Sequence, residues 1–261
     1  MIRFLNFIKK SSRSVFYGLL FGCLITLTVY SSIVDNMTVP DTIDLTTDRY
    51  SSFHSTSYQR AIEKSRNSAV RLISVDTDSG MVSTFSGTYI KSYGSYFVVT
   101  VAHGLHGPCE YTKIVYNEEL YDCLKIIEIN DMQDYAVIQV DEIKERTPVR
   151  VPQDIPRNKQ WRPAFTLLNE VVYTGYPNSI GPLSIGGKVA GANGTQFIYL
   201  DSYAWEGSSG AGVFDSKGKY IGYVIAIDVG STDFGVQVLN NVVLVIPAFK
   251  IDWTKTITEA E

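Results

Sequence analysis

A single segment, Phe97-Val98-Val99-Thr100-Val101-Ala102-His103-Gly104, carries the strongest structural signal in the chain, because an apolar β-type run ends there in a histidine. Branched and aromatic residues favour strands, so the imidazole of His103 is expected at the end of a rigid strand. The other two histidines, His54 and His106, lie in a polar stretch and in the following loop. A lone histidine after a strand is usually an ordinary loop residue, and its role depends on the rest of the chain.

Short runs rich in Val, Ile, Thr and Tyr lie on both sides of this segment. One group extends from Ala69 to Val140 and a second from Val171 to Ile246, separated by a charged, proline-containing connector at 141–160. Long amphipathic helices are absent from the pattern. Two groups of about six short strands predict an all-β protein built as two barrels or a sandwich.

Two further segments contain polar groups at strand boundaries. Asp134 stands directly before the apolar strand Tyr135–Val140, and Asp131, in the preceding turn, is a competing carboxylate. In Trp205-Glu206-Gly207-Ser208-Ser209-Gly210-Ala211-Gly212-Val213-Phe214, glycines flank a pair of serines before a strand begins. Gly207 permits a backbone geometry that would aim its own N–H and that of Ser209 at one point.

Covalent acyl transfer by a serine needs a hydroxyl nucleophile, an imidazole base and a carboxylate that orients the base. Ser209, His103 and Asp134 are the candidates for these roles. The backbone N–H groups of Gly207 and Ser209 are the candidates for the oxyanion hole. Each segment alone is ordinary turn or loop chemistry, but the three in this order are much more specific.

The chain resembles trypsin-like serine proteases, and most closely their HtrA/Deg branch, from Asn67 to about Ile251. The resemblance rests on these motifs: Thr100-Val101-Ala102-His103, Asp134-Tyr135-Ala136-Val137-Ile138, Gly175-Tyr176-Pro177, Gly207-Ser208-Ser209-Gly210-Ala211 and Gly218-Lys219-Tyr220-Ile221-Gly222. It implies a chymotrypsin-like fold of two antiparallel six-stranded β-barrels. It also implies a serine endopeptidase with Ser209 as nucleophile, His103 as general base and Asp134 as its orienting group.

The resemblance also indicates where a polypeptide substrate would bind. It puts the floor of the specificity pocket at Tyr203, with Ala204 beside it, and it pairs an extended substrate with Ile225-Ala226-Ile227. These residues carry no charge, so an apolar side chain is expected before the cut bond, because an unpaired buried charge is costly. Asp228 is the exception, since it could turn inward and accept a basic side chain.

Three departures from the family pattern concern efficiency and regulation. Ala211 replaces the usual second glycine after the nucleophile, and Ser208 stands where digestive enzymes carry an aspartate. Activation by a new N-terminal amine pairing with that aspartate is therefore not expected. No peptide-binding PDZ domain, which most HtrA/Deg enzymes carry, is expected after Glu261, and regulation is expected to differ.

Other functions account less well for the pattern. An α/β-hydrolase places its histidine after the serine, and a subtilisin-like enzyme places its aspartate before the histidine. A zinc site could use His103, His106, Cys109 and Cys123, but the spacing is loose and would consume His103, so no metal or cofactor is expected. A catalytically inactive, protease-like binding module remains the alternative, although all three candidate groups are retained.

The N-terminus is basic and is followed by an apolar stretch long enough to cross a hydrocarbon core of about 30 Å. We expect a single-pass anchor with the protease domain exported, or a cleaved signal peptide and a secreted domain. The expected organisation is a cytoplasmic basic segment at 1–14, the anchor or signal peptide at 15–34, a linker at 35–66, barrels at 67–151 and 152–252, and a tail at 253–261. The linker is expected to contain a short helix near 57–64.

The remaining expectations concern partners and cysteines. The net charge is −4 with no basic run beyond the N-terminus, which argues against nucleic-acid binding, while the resemblance allows a homo-oligomer. Cys109 and Cys123 flank a predicted hairpin, and an exported domain would permit a disulfide between them. Two separate buried thiols are the favoured prediction, because the hairpin register does not place the two residues directly opposite each other.

Overall fold

The computed structural model describes residues 56–232 and 235–258 of the chain. The predicted anchor at 15–34, most of the linker and the last residues of the tail lie outside these ranges. No helix within the described ranges is long and apolar enough to cross a bilayer. The structure therefore describes the predicted catalytic region and the residues that border it.

The first barrel is a closed, six-stranded antiparallel sheet with strand order β1-β4-β5-β6-β3-β2, closed by the pairing of β1 with β2. Its strands are β1 (Ala69–Val75), β2 (Val82–Ser92), β3 (Ser95–Thr100), β4 (Thr112–Tyr116), β5 (Glu119–Asn130) and β6 (Tyr135–Val140). A short seventh strand, β7 (Val149–Val151), pairs with β2 in parallel. The sequence pattern places these residues in the connector at 141–160. They have no strand pattern of their own, and only the pairing with β2 makes them a strand.

The second barrel is also closed and antiparallel, with strand order β10-β13-β12-β11-β8-β9. Its strands are β8 (Glu170–Gly175), β9 (Leu183–Asn193), β10 (Phe197–Asp201), β11 (Gly212–Asp215), β12 (Tyr220–Thr232) and β13 (Gly235–Pro247). The prediction of an all-β fold with two six-stranded antiparallel barrels is confirmed.

The two barrels share an apolar interface. Phe214, Tyr220 and Tyr223 of the second barrel are buried in the same cluster as Phe97 and Val99 of the first. Because both faces of β3 are covered, its last four residues are all buried, as expected of a strand with a near-continuous apolar sequence.

Within the described ranges, three α-helices lie outside the barrels: α1 (Thr56–Ser68), α2 (Trp161–Ala164) and α3 (Trp253–Thr258). Helix α1 is longer than the predicted helix and packs on the second barrel, where the Tyr58 hydroxyl donates to the carbonyl of Val171 at 3.0 Å. At the start of α3, the Asp252 N–H donates to the hydroxyl of Tyr135 in the first barrel at 3.1 Å. Helix α1, which precedes the first barrel, thus packs on the second barrel, and the segment that begins α3, which follows the second barrel, bonds to the first.

Cys109 and Cys123 form a disulfide with a Cα–Cα distance of 5.3 Å, so the favoured prediction of two free thiols is wrong. Strand pairing sets Lys113 opposite Asp122, which extends to Thr112 opposite Cys123. Cys109 begins a 3₁₀ turn that ends at Tyr111, and the N–H of the next residue, Thr112, donates to the carbonyl of Cys109. Residues three apart in a 3₁₀ helix lie one above the other, so the turn brings Cys109 next to Cys123.

Removal of this bridge is expected to lower the free energy of unfolding by about 2–4 kcal/mol, because it closes a loop in the unfolded chain. The test compares urea unfolding of the wild type with that of the double variant Cys109→Ala/Cys123→Ala, each with and without reductant. Reductant should destabilise the wild type alone. Free Cys109 and Cys123 in denatured, unreduced protein would show that no bridge forms.

Candidate active site

His103 follows the end of β3 and projects into the cleft between the barrels. The backbone leading to it is fixed by the buried residues Val99 and Val101, while about half of its own side chain, 53 %, is exposed. A side chain on such a support can face solvent and still hold its position. This matches the expected location of the imidazole.

Asp134 lies in the turn between β5 and β6 and contacts His103 at two points. One carboxylate oxygen, Oδ2, is 2.7 Å from Nδ1 of the imidazole, and the other, Oδ1, accepts the backbone N–H of His103 at 2.9 Å. Asp134 has a φ of 46°, a left-handed conformation that Asp and Asn tolerate better than most residues. The double contact orients the ring and leaves its other nitrogen, Nε2, for a substrate-side partner.

Tyr223 of the second barrel supports the turn that contains Asp134. Its hydroxyl donates to the carbonyl of Gln133 at 2.6 Å, and the Gln133 N–H donates to the side chain of Asn130 at 3.0 Å. Burial raises the pKa of Tyr223, with nearby charges including Asp134 adding to the shift. The raised pKa keeps the hydroxyl protonated and available as a donor.

The serine loop, residues 205–212, packs tightly against neighbouring backbone. Gly207 and Gly210 have φ values of 89° and 88°, which only glycine adopts without strain. A Cβ on Gly210 would lie 2.0 Å from the carbonyl oxygen of Ser86. In the described part of the chain, the N–H groups of Gly207 and Ser209 donate to no other group, as the predicted oxyanion hole requires.

Ser209 lines the same cleft as His103, and its hydroxyl donates to the carbonyl of Ile225 at 3.0 Å. The structure thus brings together His103, Asp134 and the predicted nucleophile. The hydroxyl proton is directed to β12 and not to the imidazole in this structure. Asp131, the competing carboxylate, is exposed in the turn and has no hydrogen bond to His103.

Two cavities flank Ser209. The smaller, of about 310 Å³, is lined by Ala204, Trp205, Val224 and Ile225 together with the serine loop, and the larger, of about 490 Å³, lies beside β2 and His106. Tyr203 does not line either of them: the residue is 56 % exposed, and its ring stacks on Trp205. The side chains of Ala226, Ile227 and Asp228 lie outside the described residues, although their backbone is part of β12.

The alternative zinc site lacks its ligands in this structure. Cys109 and Cys123 are joined to each other, and His103 is engaged by Asp134. Within the described ranges, no group of three histidine, cysteine or acidic side chains is arranged to hold a metal ion.

Two contributors to this site have no local sequence signal. Tyr223 has the pattern of a strand residue, and Ser86 has that of one serine among several in β2. Ser86 is fully buried, and it hydrogen-bonds to the carbonyl oxygens of both Gly207 and Ser209, at 2.6 and 2.9 Å. Tyr223 and Ser86 each contact residues that are far from them in sequence, so the sequence pattern around them does not reveal these contacts.

Comparison with solved structures supports the double-barrel fold: 558 solved chains resemble this protein. A serine endoprotease from Yersinia pestis superposes with a TM-score of 0.57 at 16 % identity, over 79 % of this chain and 67 % of that one. The Rv3671c protease from M. tuberculosis, in its active form, superposes with a TM-score of 0.55 at 16 % identity, over 72 % of this chain and 79 % of that one.

No curated protein sequence matches the chain. A family model does: the model of the trypsin-like peptidase domain matches residues 85–222, a range that contains His103, Asp134 and Ser209. The match covers more than half of the chain, and the predicted resemblance to trypsin-like proteases is confirmed: this protein belongs to the trypsin-like peptidase domain family.

Proposed function

We propose that the protein is a serine endopeptidase that cleaves polypeptides through an acyl-enzyme on Ser209. The observation that carries the proposal is the 2.7 Å contact between Asp134 and Nδ1 of His103, in the cleft that Ser209 also lines. Asp134 holds the Nδ1–H tautomer, so Nε2 is free to accept the hydroxyl proton of Ser209 as Oγ attacks the carbonyl carbon. The same proton then passes to the leaving amine.

The N–H groups of Gly207 and Ser209 would stabilise the oxyanion of the tetrahedral intermediate. Before the attack, the hydroxyl of Ser209 must break its hydrogen bond to the carbonyl of Ile225 and turn towards Nε2 of His103. Strand β12 pairs with β11 only as far as Tyr223, so at Ile225–Ile227 its edge towards the cleft has no strand partner in the described chain. An extended substrate could pair with this edge by backbone hydrogen bonds.

An inactive binding module is the second candidate, and one observation favours it: the Ser209 hydroxyl is bonded to Ile225 and not to His103. Labelling with a fluorophosphonate probe separates the two functions, because only an activated serine reacts. We expect labelling of the wild type on Ser209. An unlabelled wild type that still binds peptides would favour the binding module.

The cavity lined by Ala204, Val224 and Ile225 supports an apolar side chain before the cut bond, because it presents mainly apolar groups. A cleavage-site library should show this preference, and a clear preference for Lys or Arg would contradict it. Ala204→Leu would partly fill the cavity and should reduce cleavage after large apolar residues by about tenfold or more. Tyr203→Ala should change the preference less, since Tyr203 does not line the cavity and only stacks on Trp205, which does.

We further propose that the catalytic domain is exported, with the N-terminal segment as membrane anchor or signal peptide, and that it acts on polypeptides and not on nucleic acid. The disulfide between Cys109 and Cys123 supports export, because such bonds persist in oxidising compartments. Protease protection in sealed vesicles tests the orientation, and a catalytic domain on the cytoplasmic side would contradict it.

Homo-oligomer formation, suggested by the HtrA/Deg resemblance, can be measured by sedimentation.

A further inference from the structure

Gly207 contributes one N–H to the proposed oxyanion hole and has no side chain to fix its conformation. Its orientation therefore depends on what holds the two peptide planes that meet at its Cα. On one side, the carbonyl of Glu206 accepts the N–H of Asn178 at 2.7 Å. On the other side, its own carbonyl accepts the hydroxyl of Ser86 at 2.6 Å. Both planes are anchored by groups outside the loop.

The hydroxyl of Ser86 supports both anchors. Besides donating to Gly207, its oxygen accepts the N–H of Tyr176 at 2.8 Å. Tyr176 begins the short segment that contains Asn178, whose N–H holds the Glu206 carbonyl. One side chain from the first barrel thus holds one peptide plane directly and the other through the Tyr176–Asn178 segment of the second barrel.

The backbone of Ser86 fixes the rest of the loop. Its N–H donates to the carbonyl of Ser209 at 2.9 Å, and its carbonyl accepts the hydroxyl of Thr100, near the end of the strand that leads to His103, at 2.7 Å. Because Ser86 is fully buried, water cannot replace these partners.

We propose that Ser86 is the positioning residue of the oxyanion hole: its hydroxyl fixes the two peptide planes that orient the N–H of Gly207, while its backbone N–H holds the carbonyl of Ser209. The role rests on the proposed function, since it presumes that Ser209 is the nucleophile. Ser86 acts through the serine loop and does not contact the substrate. Loss of the hydroxyl should therefore reduce the stabilisation of the transition state more than it reduces the affinity for the substrate.

The test is Ser86→Ala, with Ser65→Ala as the matched control. Ser65 is also buried, and its hydroxyl donates across an interface to Thr174 at 2.8 Å, with no contact to the serine loop. Ser86→Ala should lower kcat by about 10- to 100-fold, because small misplacements at a catalytic site have effects of that size. KM should change by less than about threefold, and Ser65→Ala should leave both constants near wild type.

Affinity for a peptide boronate gives a second readout. Its tetrahedral adduct on Ser209 uses the oxyanion hole, so Ser86→Ala should weaken its binding by the same factor as kcat. Peptide affinity measured in a Ser209→Ala background should not change. Ser86→Cys retains a weak donor and should give an intermediate kcat; it takes the place of the alanine variant if that variant does not fold.

The outcomes separate this role from the function on which it rests. If the wild type is active and Ser86→Ala keeps kcat within twofold of Ser65→Ala, the positioning role is wrong and the endopeptidase remains. Equal losses in kcat and in peptide affinity would also contradict the role, since they indicate a general packing defect. A wild type that neither cleaves peptides nor reacts with a fluorophosphonate overturns both.

Discussion

Ser209→Ala is expected to reduce kcat by about 10⁴- to 10⁶-fold while the protein remains folded. The change removes one hydroxyl whose hydrogen bond in this structure is to the carbonyl of Ile225. Strand β12 is otherwise held by its pairing with β13, so loss of that bond should affect stability little. The measurement is turnover of a peptide found by library screening, with thermal unfolding of each variant alongside.

Ser208→Ala is the matched control, because it makes the same chemical change one residue earlier. The Ser208 side chain is buried and accepts the N–H of Trp205 at 3.2 Å, a structural role within the loop. Its removal should lower activity far less than removal of the Ser209 hydroxyl. A dead Ser208→Ala variant beside an active Ser209→Ala variant would mean that the nucleophile is misassigned.

The sequence predicts most of the barrels because their strands are encoded locally. β6 coincides with the predicted strand Tyr135–Val140, β1 begins the predicted first group at Ala69, and both strands are largely buried. β9 is encoded less clearly, since it runs from Leu183 to Asn193 and contains three glycines. Glycine weakens a strand signal, and here pairing with β8 and β10 maintains the strand.

The site divides in the same way. His103, Asp134 and Ser209 could be proposed from sequence because each stands at a recognisable boundary between a strand and a turn. Ser86 and Tyr223 could not, because they act on partners 121 and 90 residues away, and only the packing of one barrel on the other brings them there. The disulfide was missed for a related reason, since the 3₁₀ turn at Cys109–Tyr111 alters the register that a simple hairpin predicts.

Asp134→Asn is expected to lower kcat by about 10⁴-fold, the size of effect seen when the orienting carboxylate of such a triad becomes an amide. Asparagine has nearly the same shape and tolerates the left-handed backbone at this position, where φ is 46°. The support from Tyr223 to the carbonyl of Gln133 is unaffected by the change. The turn should therefore keep its structure, and the loss should be chemical.

The loss follows from counting donors and acceptors. The carboxylate of Asp134 accepts two hydrogen bonds, from the backbone N–H of His103 at 2.9 Å and from the ring Nδ1–H at 2.7 Å. An amide has one oxygen, so in its favourable orientation its NH₂ group faces Nδ1. The ring must then accept at Nδ1 and protonate at Nε2, which leaves no base for Ser209. The reverse orientation sets two N–H groups against each other.

Asp131→Asn provides the control, because it removes the same charge from the same turn without touching His103. It should keep kcat within about twofold of wild type, as expected for a surface substitution away from the reacting groups. Fluorophosphonate labelling should be slow for Asp134→Asn and normal for Asp131→Asn. If Asp131→Asn is the severe variant and Asp134→Asn stays within tenfold of wild type, the orienting carboxylate is Asp131, and the contact between Asp134 and His103 has a structural role only.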